Sequence, residues 1–278
     1  MGGGKASCFS PLPAPATLSA VKRLLPLLAL AVAPQAHAGE VACVLDQGVV
    51  VVPAVVAGAA GDYILDPAAP RTLVHETRAQ TDGIAAEALR GEVRLAGMTR
   101  RAVDLAVVDL DARAWSFPTP VAGVIGADVL GDYVVDVRFA PCRVRLSRPG
   151  RAPSLRGGAV YRFSLSGALP SLPGAAADGP RATGGAVLVS TGADTGLRLS
   201  SALAQAPGAE KPAELLPYGI WRAWLRGLSL SGRLWEHLPV GLAELPEGAL
   251  GSVGPPLLAG WDLRIDYPRR RITLRPHA

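Results

Sequence analysis

The amino-acid sequence predicts an all-β protein made of two similar lobes, on three observations. Gly and Pro are abundant, at 32 and 25 of 278 residues, which calls for many turns and short strands. Hydrophobic residues make up 49% of the chain and fall in short runs and period-two alternations, the pattern of strands packed on a core. The order of these segments in the first half then recurs in the second, which is the signature of a duplicated unit.

Taken in order, the first half opens on Asp46-Gln47-Gly48-Val49-Val50-Val51-Val52-Pro53, a buried-strand run. Tyr63-Ile64-Leu65-Asp66 is a strand ending in the turn Pro67-Ala68-Ala69-Pro70, and Thr72-Leu73-Val74 resumes extended. Residues 92–99 alternate around Ala96-Gly97, a hairpin signal, and residues 103–108 form the next strand. Val124-Ile125-Gly126 follows, then the closing pair at residues 133–137 and 143–146. In the second half, residues 185–190 form a strand ending in Ser190-Thr191-Gly192-Ala193, and Leu197-Arg198-Leu199 follows. A hairpin pattern around Ser231-Gly232 comes next, then a strand at 238–242, Leu257-Leu258-Ala259-Gly260, and a closing pair at 264–267 and 271–274. Residues 170–183, rich in Ala, Pro and Gly, read as a long loop, and Arg269-Arg270-Arg271 as a solvated turn. The polar, Pro-rich stretch 147–153 is the join, giving lobes at 39–150 and 151–278, each of ordinary domain size.

The first 38 residues read as an export signal. Lys22-Arg23 precedes an apolar run of about ten residues and the small-x-small site Ala36-His37-Ala38, whereas a membrane span needs about 20. The odd lead-in Met1-Gly2-Gly3-Gly4 suggests a true start at Val21, which would make the signal compact. The mature chain is therefore expected outside the cytoplasm, periplasmic or secreted, without a membrane span. Three of the 28 basic residues precede the first acid, Glu40, so a chain beginning at Gly39 has 25 basic and 23 acidic residues. That balance gives no case for nucleic-acid binding. Of the three cysteines Cys8 lies in the leader, leaving Cys43 and Cys142, an even number in an exported chain. His75, His237 and His277 have no ligand spacing, so no metal is expected, and no phosphate loop or other cofactor motif is present.

This repeated order of strand, turn, hairpin, apolar-apolar-Gly element and closing hairpin resembles the retropepsin-like and pepsin-like aspartic proteases. The resemblance covers most of residues 46–278 and implies two acid-protease β-barrel lobes in tandem with a cleft between them. It implies that Asp66 and Ser190 stand on facing turns, with Gly126 and Gly260 in the supporting apolar-apolar-Gly elements. It also implies that the first and last strands of the first lobe lie side by side, which would join Cys43 to Cys142. The chain departs from the family at the catalytic turns. The first reads Asp66-Pro67-Ala68-Ala69, keeping the carboxylate and losing the hydroxyl residue and glycine. The second reads Ser190-Thr191-Gly192-Ala193, keeping the turn with Ser in place of Asp. A second register would use Asp194-Thr195-Gly196 instead, although no strand leads directly into Asp194.

Aspartic proteolysis uses two carboxylates that share one proton, so that one acts as base and the other as acid. A lone Asp66 opposite Ser190 cannot divide those roles. Pro67 offers no N–H, and Ala68 is expected to resist a positive φ that Gly would accept. Asp66 also reads as a plain turn residue accepting local backbone bonds. Trp221, Trp224 and Trp235 near the second hairpin read as packing residues or as the lining of a peptide groove. Three functional readings remain: a monomeric pseudoenzyme binding a peptide or unfolded polypeptide segment between its lobes, an active aspartic-type endopeptidase with an irregular site, and a non-catalytic envelope scaffold.

Overall fold

A computed structural model describes residues 39–114, 117–177, 182–201, 213–215 and 220–277, with backbone alone at 114, 213–215 and 220–224. Residues 1–38, read above as an export signal and including Cys8, and the side chains of Trp221 and Trp224 lie outside the described residues. Two short strands come first, β1 (Glu40–Ala42) and β2 (Val44–Asp46). The first barrel comprises β3 (Val49–Val56), β4 (Ala59–Leu65), β5 (Leu73–His75), β6 (Ala88–Leu95), β7 (Met98–Val108) and β8 (Val121–Ile125), followed by β9 (Val134–Phe139) and β10 (Cys142–Ser147). The second half opens on β11 (Ala159–Arg162) and β12 (Ser164–Ser166). Its barrel comprises β13 (Leu169–Ala177), β14 (Ala182–Val189), β15 (Leu197–Ser200), β17 (Ile220–Leu230), β18 (Arg233–Ala243) and β19 (Ala249–Val253), with β16 (Ala213–Leu215) beside β17. The hairpin β20 (Trp261–Asp266) and β21 (Arg271–Pro276) closes the chain. Short helices intervene: α1 (Glu76–Thr81), α2 (Asp111–Ala114), α3 (Ala127–Leu130) and α4 (Pro255–Leu258).

The pairings close two rings of six strands with the same succession of senses. In the first, β3–β4 is antiparallel, β4–β8 parallel, β8–β5 antiparallel, β5–β7 parallel, and β7–β6 and β6–β3 antiparallel. In the second, β13–β14, β14–β19, β19–β15, β15–β18, β18–β17 and β17–β13 repeat that succession. The duplicated all-β architecture expected from the repeated order is thus present as two closed barrels in tandem. The closing hairpins meet in a third, six-stranded sheet, ordered β1-β10-β9-β20-β21-β11.

The valine run of β3 shows why its sequence lacks clean alternation. Val50, Val52 and Val56 enter the main core, whereas Val49 and Val51 pack with Ile64, Val124 and Leu110 in a second cluster on the opposite face. Both faces are covered, so both can be apolar. Each fully buried valine of this kind is worth about 1.5–3 kcal/mol.

One expectation is corrected. The stretch 170–183 is not a loop: most of it is the hairpin of β13 and β14, while Asp178-Gly179 lie outside the described residues. Its Pro and Gly content misled the reading, because Pro is tolerated where a strand position needs no ladder donor, and small residues let β13 pair on both sides. The hairpin turn Ala96-Gly97 packs against Gly39 at the shared sheet, where a Cβ on Gly97 would lie 3.3 Å from the Gly39 nitrogen. The segment 267–270 is a turn with Arg269 and Arg270 exposed, Arg269 reaching Asp266 at 3.2 Å.

Cys43 and Cys142 are joined by a disulfide, with Cα atoms 5.0 Å apart. Backbone geometry brings them together: β1 pairs with β10, and the Cys43 amide donates to the Cys142 carbonyl at 3.1 Å.

Candidate functional site

Asp66 and Ser190 each stand one residue beyond a central strand. Leu65, last in β4, pairs in parallel with Ile125, and Val189, last in β14, pairs in parallel with Val253. The Asp66 amide donates to the Ile125 carbonyl at 3.0 Å and the Ser190 amide to the Val253 carbonyl at 2.9 Å. Equivalent strand ends therefore carry both side chains to the place where the halves meet.

There they bond directly. Ser190 Oγ donates to Asp66 Oδ1 at 2.9 Å and accepts from the Gly192 amide at 3.1 Å. Oδ1 also accepts from the Ala68 amide at 3.0 Å. The other oxygen, Oδ2, accepts from Arg113 Nη2 at 2.9 Å, and the same nitrogen donates to the Gly192 carbonyl at 3.1 Å. Asp66 and Ser190 are 6% and 3% exposed, so these partners rather than water satisfy them. Bonds to a charged group contribute about 1.5–3 kcal/mol each and neutral ones about 0.5–1.5.

The two turns brace one another unequally. Thr191 Oγ1 donates to the Leu65 carbonyl across the join, and the Val50 amide donates to the Thr191 carbonyl at 2.9 Å. Pro67 occupies the matching place in the first turn and has no hydroxyl to return the bond. Ala68 does not have a positive φ, in line with its expected resistance to one, and neither does Gly192. Gly192 is needed for space, because a Cβ there would lie 2.6 Å from both Arg113 Nη2 and Asp66 Oδ2. Ala69 and Ala193 are buried behind their turns.

Asp194 is placed differently from Asp66. Its side chain is 47% exposed and ion-paired to Arg198, four residues along, whereas the Asp66 side chain is 8% exposed. The carboxylate facing the opposite turn is that of Asp66.

The supporting glycines are Gly126 and Gly254, not Gly260. Gly126 follows Ile125 and caps α3, and a Cβ there would lie 2.7 Å from the Ala69 oxygen and the Arg71 carbonyl. Gly254 follows Val253 and caps α4, and a Cβ there would lie 3.0 Å from the Ala193 Cβ and oxygen. Gly260 has open space around it, because Leu257-Leu258 belong to α4 rather than to the strand. Gly254→Ala is therefore expected to lower stability by at least about 2 kcal/mol and Gly260→Ala by less than about 0.5, as read from denaturant melts.

Sequence reasoning missed Arg113 and the Thr72–Asp128 clamp. Thr72 Oγ1 donates to Asp128 Oδ1 at 2.7 Å and accepts from the Gly126 amide at 3.1 Å, tying the loop after Asp66 to α3. Arg113 lies on α2, whose approach is fixed by buried Leu110 and by His75. The Leu110 amide points at His75 Nδ1 at 3.4 Å, and His75 Nε2 lies 3.1 Å from Asp111 Oδ1. His75, Asp109 and Asp111 have potential ligand atoms within 4.8 Å of one another. They fit a cation poorly. An amide N–H facing Nδ1 selects the tautomer with its proton on Nε2, and Asp109 Oδ1 is engaged by the Asp111 amide at 2.7 Å. The group reads as a loop clamp.

Tyr267 adds a buried hydroxyl with no hydrogen-bond partner. Burial, and secondarily the charge of Asp66, push its pKa well above the ordinary tyrosine range. Trp235 is half-buried, with the Arg233 guanidinium 5.5 Å from its ring centroid and 4.6 Å from that of Trp261.

No family model matches the chain, and no curated protein matches it. Among solved structures it is similar to an aspartic proteinase from Irpex lacteus, at 14% identity and a TM-score of 0.52, over 86% of this chain and 97% of that one. The likeness is one of fold: two barrels in tandem.

Proposed function

We propose that this chain is a non-hydrolytic, aspartic-protease-like protein that binds an extended polypeptide segment between its lobes outside the cytoplasm. The observation that carries the reading is the environment of Asp66, whose two oxygens face Ser190 and Arg113 rather than a second carboxylate. A serine hydroxyl cannot serve as the dyad acid, and a guanidinium does not release its proton in the working range. Ser190 is no better placed as a nucleophile, because its proton acceptor is a carboxylate, and nucleophilic serines are activated by an adjacent general base such as histidine. Asp66, Ser190, Thr191 and Arg113 then act as a bolt between lobes at 39–150 and 151–278. Strand-like recognition of a peptide backbone needs no dyad, so binding survives the loss of chemistry. Export is supported by the leader pattern and by the Cys43–Cys142 bond, a pairing that persists in oxidising compartments. Among the described residues no helix is long and apolar enough to cross a membrane.

The test is incubation with a peptide library and an unfolded protein from pH 3 to 8. Cleavage is followed by mass spectrometry and binding by fluorescence anisotropy. The expected result is saturable binding without cleavage. Cleavage that pepstatin blocks and Asp66→Asn abolishes would overturn the reading.

A further inference from the structure

The outer face of the shared six-stranded sheet carries a row of alternating charge. Glu40 opposes Arg145, Arg145 opposes Asp136, and Asp136 opposes Arg264. Glu40 pairs with Arg145, and Asp136 Oδ2 accepts from Arg264 Nη2 at 2.9 Å. Two residues along, the alternation fails. Arg143 opposes Ala42 on one side and Arg138 on the other. Like charges directly opposite destabilise an antiparallel pair. Among the described residues neither Arg138 nor Arg143 has an ion-pair partner, although three neighbouring carboxylates all do.

Asp262 belongs to the same face, two residues before Arg264, and its neighbour Leu263 opposes Val137, next to Arg138. Its Oδ2 accepts from Arg275 Nε at 3.1 Å. Its Oδ1 is buried without a hydrogen-bond partner, and His277 Nδ1 is 3.7 Å away, beyond bonding range. A buried acceptor in that state calls for a donor. Arg138, Arg143 and Asp262 line one cavity of about 160 Å³, bounded by the sheet and by Pro153, Ser154 and Leu155 of the join, in which five arginines face three carboxylates.

We propose that this cavity binds hydrogen phosphate, with its anionic oxygens on Arg138 and Arg143 and its P–OH donated to Asp262 Oδ1. The unbalanced arginine pair selects an oxyanion, since guanidinium matches such oxygens in bidentate fashion. The lone acceptor selects one that keeps a proton at neutral pH. Sulfate and ionised carboxylates have none to give, whereas inorganic phosphate retains one. A phosphate monoester, with its second pKa at about 6, retains one only in mild acid. The cavity lies on a different sheet from Asp66, and the proposal is independent of the reading of that site.

Isothermal titration of the exported chain with inorganic phosphate, with sulfate, and with phosphoserine at pH 7.5 and 5.5, all at one ionic strength, tests this. One phosphate per chain is expected, with sulfate at least tenfold weaker and phosphoserine gaining affinity at the lower pH. Arg138→Gln and Arg143→Gln should each weaken phosphate at least tenfold, while Arg100→Gln, elsewhere on the surface, leaves it unchanged. Asp262→Asn should narrow the preference over sulfate. Because that variant also loses the Arg275 pair, its fold is checked by circular dichroism, and Arg138→Gln, on an exposed side chain, stays decisive without it. Equal responses to phosphate and sulfate, tight phosphoserine binding at pH 7.5, no saturable binding, or unaltered binding in both arginine variants would each overturn the proposal.

Discussion

Replacing Cys43 and Cys142 with serine is expected to lower the unfolding free energy by up to about 4–5 kcal/mol, one of the two largest single effects predicted for this chain. The bond spans a sequence separation of 99 residues. In the chain-entropy account, closing a loop of roughly that length restricts the unfolded ensemble by about 4.7 kcal/mol. For a chain of this size that corresponds to a fall in Tm on the order of 10 °C. The native state loses less than the bond itself, because the Cys43 amide still donates to the Cys142 carbonyl and β1 still pairs with β10. Those contacts cannot replace the crosslink, since they vanish on unfolding, where the disulfide acts. Thermal melts of the serine double variant and of the parent with and without reductant decide the matter. If all three melt together, the crosslink contributes nothing to stability and the loop-closure account fails. A drop seen only in reductant and only in the parent ties stability to an oxidising location.

The fold was legible because its signals are local and were written twice. Leu65-Asp66 and Val189-Ser190 each end an apolar run at a turn, and the two turns face one another at 2.9 Å. The glycine after the second support strand was legible in principle. Gly254 is followed by Pro255-Pro256, and Pro at the first helical positions marks a helix start. The apolar run ending at Gly260 drew the assignment six residues too far, since a helix turn and a buried strand look alike over four residues. Arg113 could not have been found this way. It lies in a four-residue helix with no periodicity, and its partners Asp66 and Gly192 are 47 and 79 residues away. Only the tertiary fold, which carries the helix between β7 and β8 to both turns, makes them neighbours. The phosphate cavity was hidden for a similar reason, since Arg138, Arg143 and Asp262 become one group only when the closing hairpins of both halves share a sheet. What remained illegible was long-range side-chain geometry, which decides whether a carboxylate is a catalyst or a brace.

That distinction sets the second large effect. Ser190→Asp is expected to destabilise the protein at neutral pH by about 2–4 kcal/mol and still yield no efficient protease. Ser190 Oγ lies 2.9 Å from Asp66 Oδ1 and is its hydroxyl donor, so a carboxylate there removes the donor and brings a second negative charge into contact at a buried position. Arg113 offsets one charge, and a buried charge left without compensation costs about 3–5 kcal/mol. The folded variant relieves this by holding a proton between the two carboxylates, which raises the pKa of the pair above the unfolded value of about 4. A raised folded-state pKa means that the relief is complete below pH of about 4 and is lost as pH rises through the folded value. The variant should therefore gain stability relative to the parent as pH falls, whereas Ser190→Asn, which keeps a donor and adds no charge, should follow the parent throughout. Catalysis should remain absent in Ser190→Asp because Arg113 still occupies Asp66 Oδ2 and Pro67 still lacks the hydroxyl that Thr191 supplies to the other turn. Adding Arg113→Ala and Pro67→Thr frees that oxygen and restores the missing brace, and pepstatin binding should appear only in this combined variant. Denaturant melts from pH 3 to 8, together with pepstatin titrations of the single and combined variants, measure both parts. Tight pepstatin binding by Ser190→Asp alone would show that Arg113 is no obstacle to the dyad, and a pH-independent loss of stability would show that charge is not its cause.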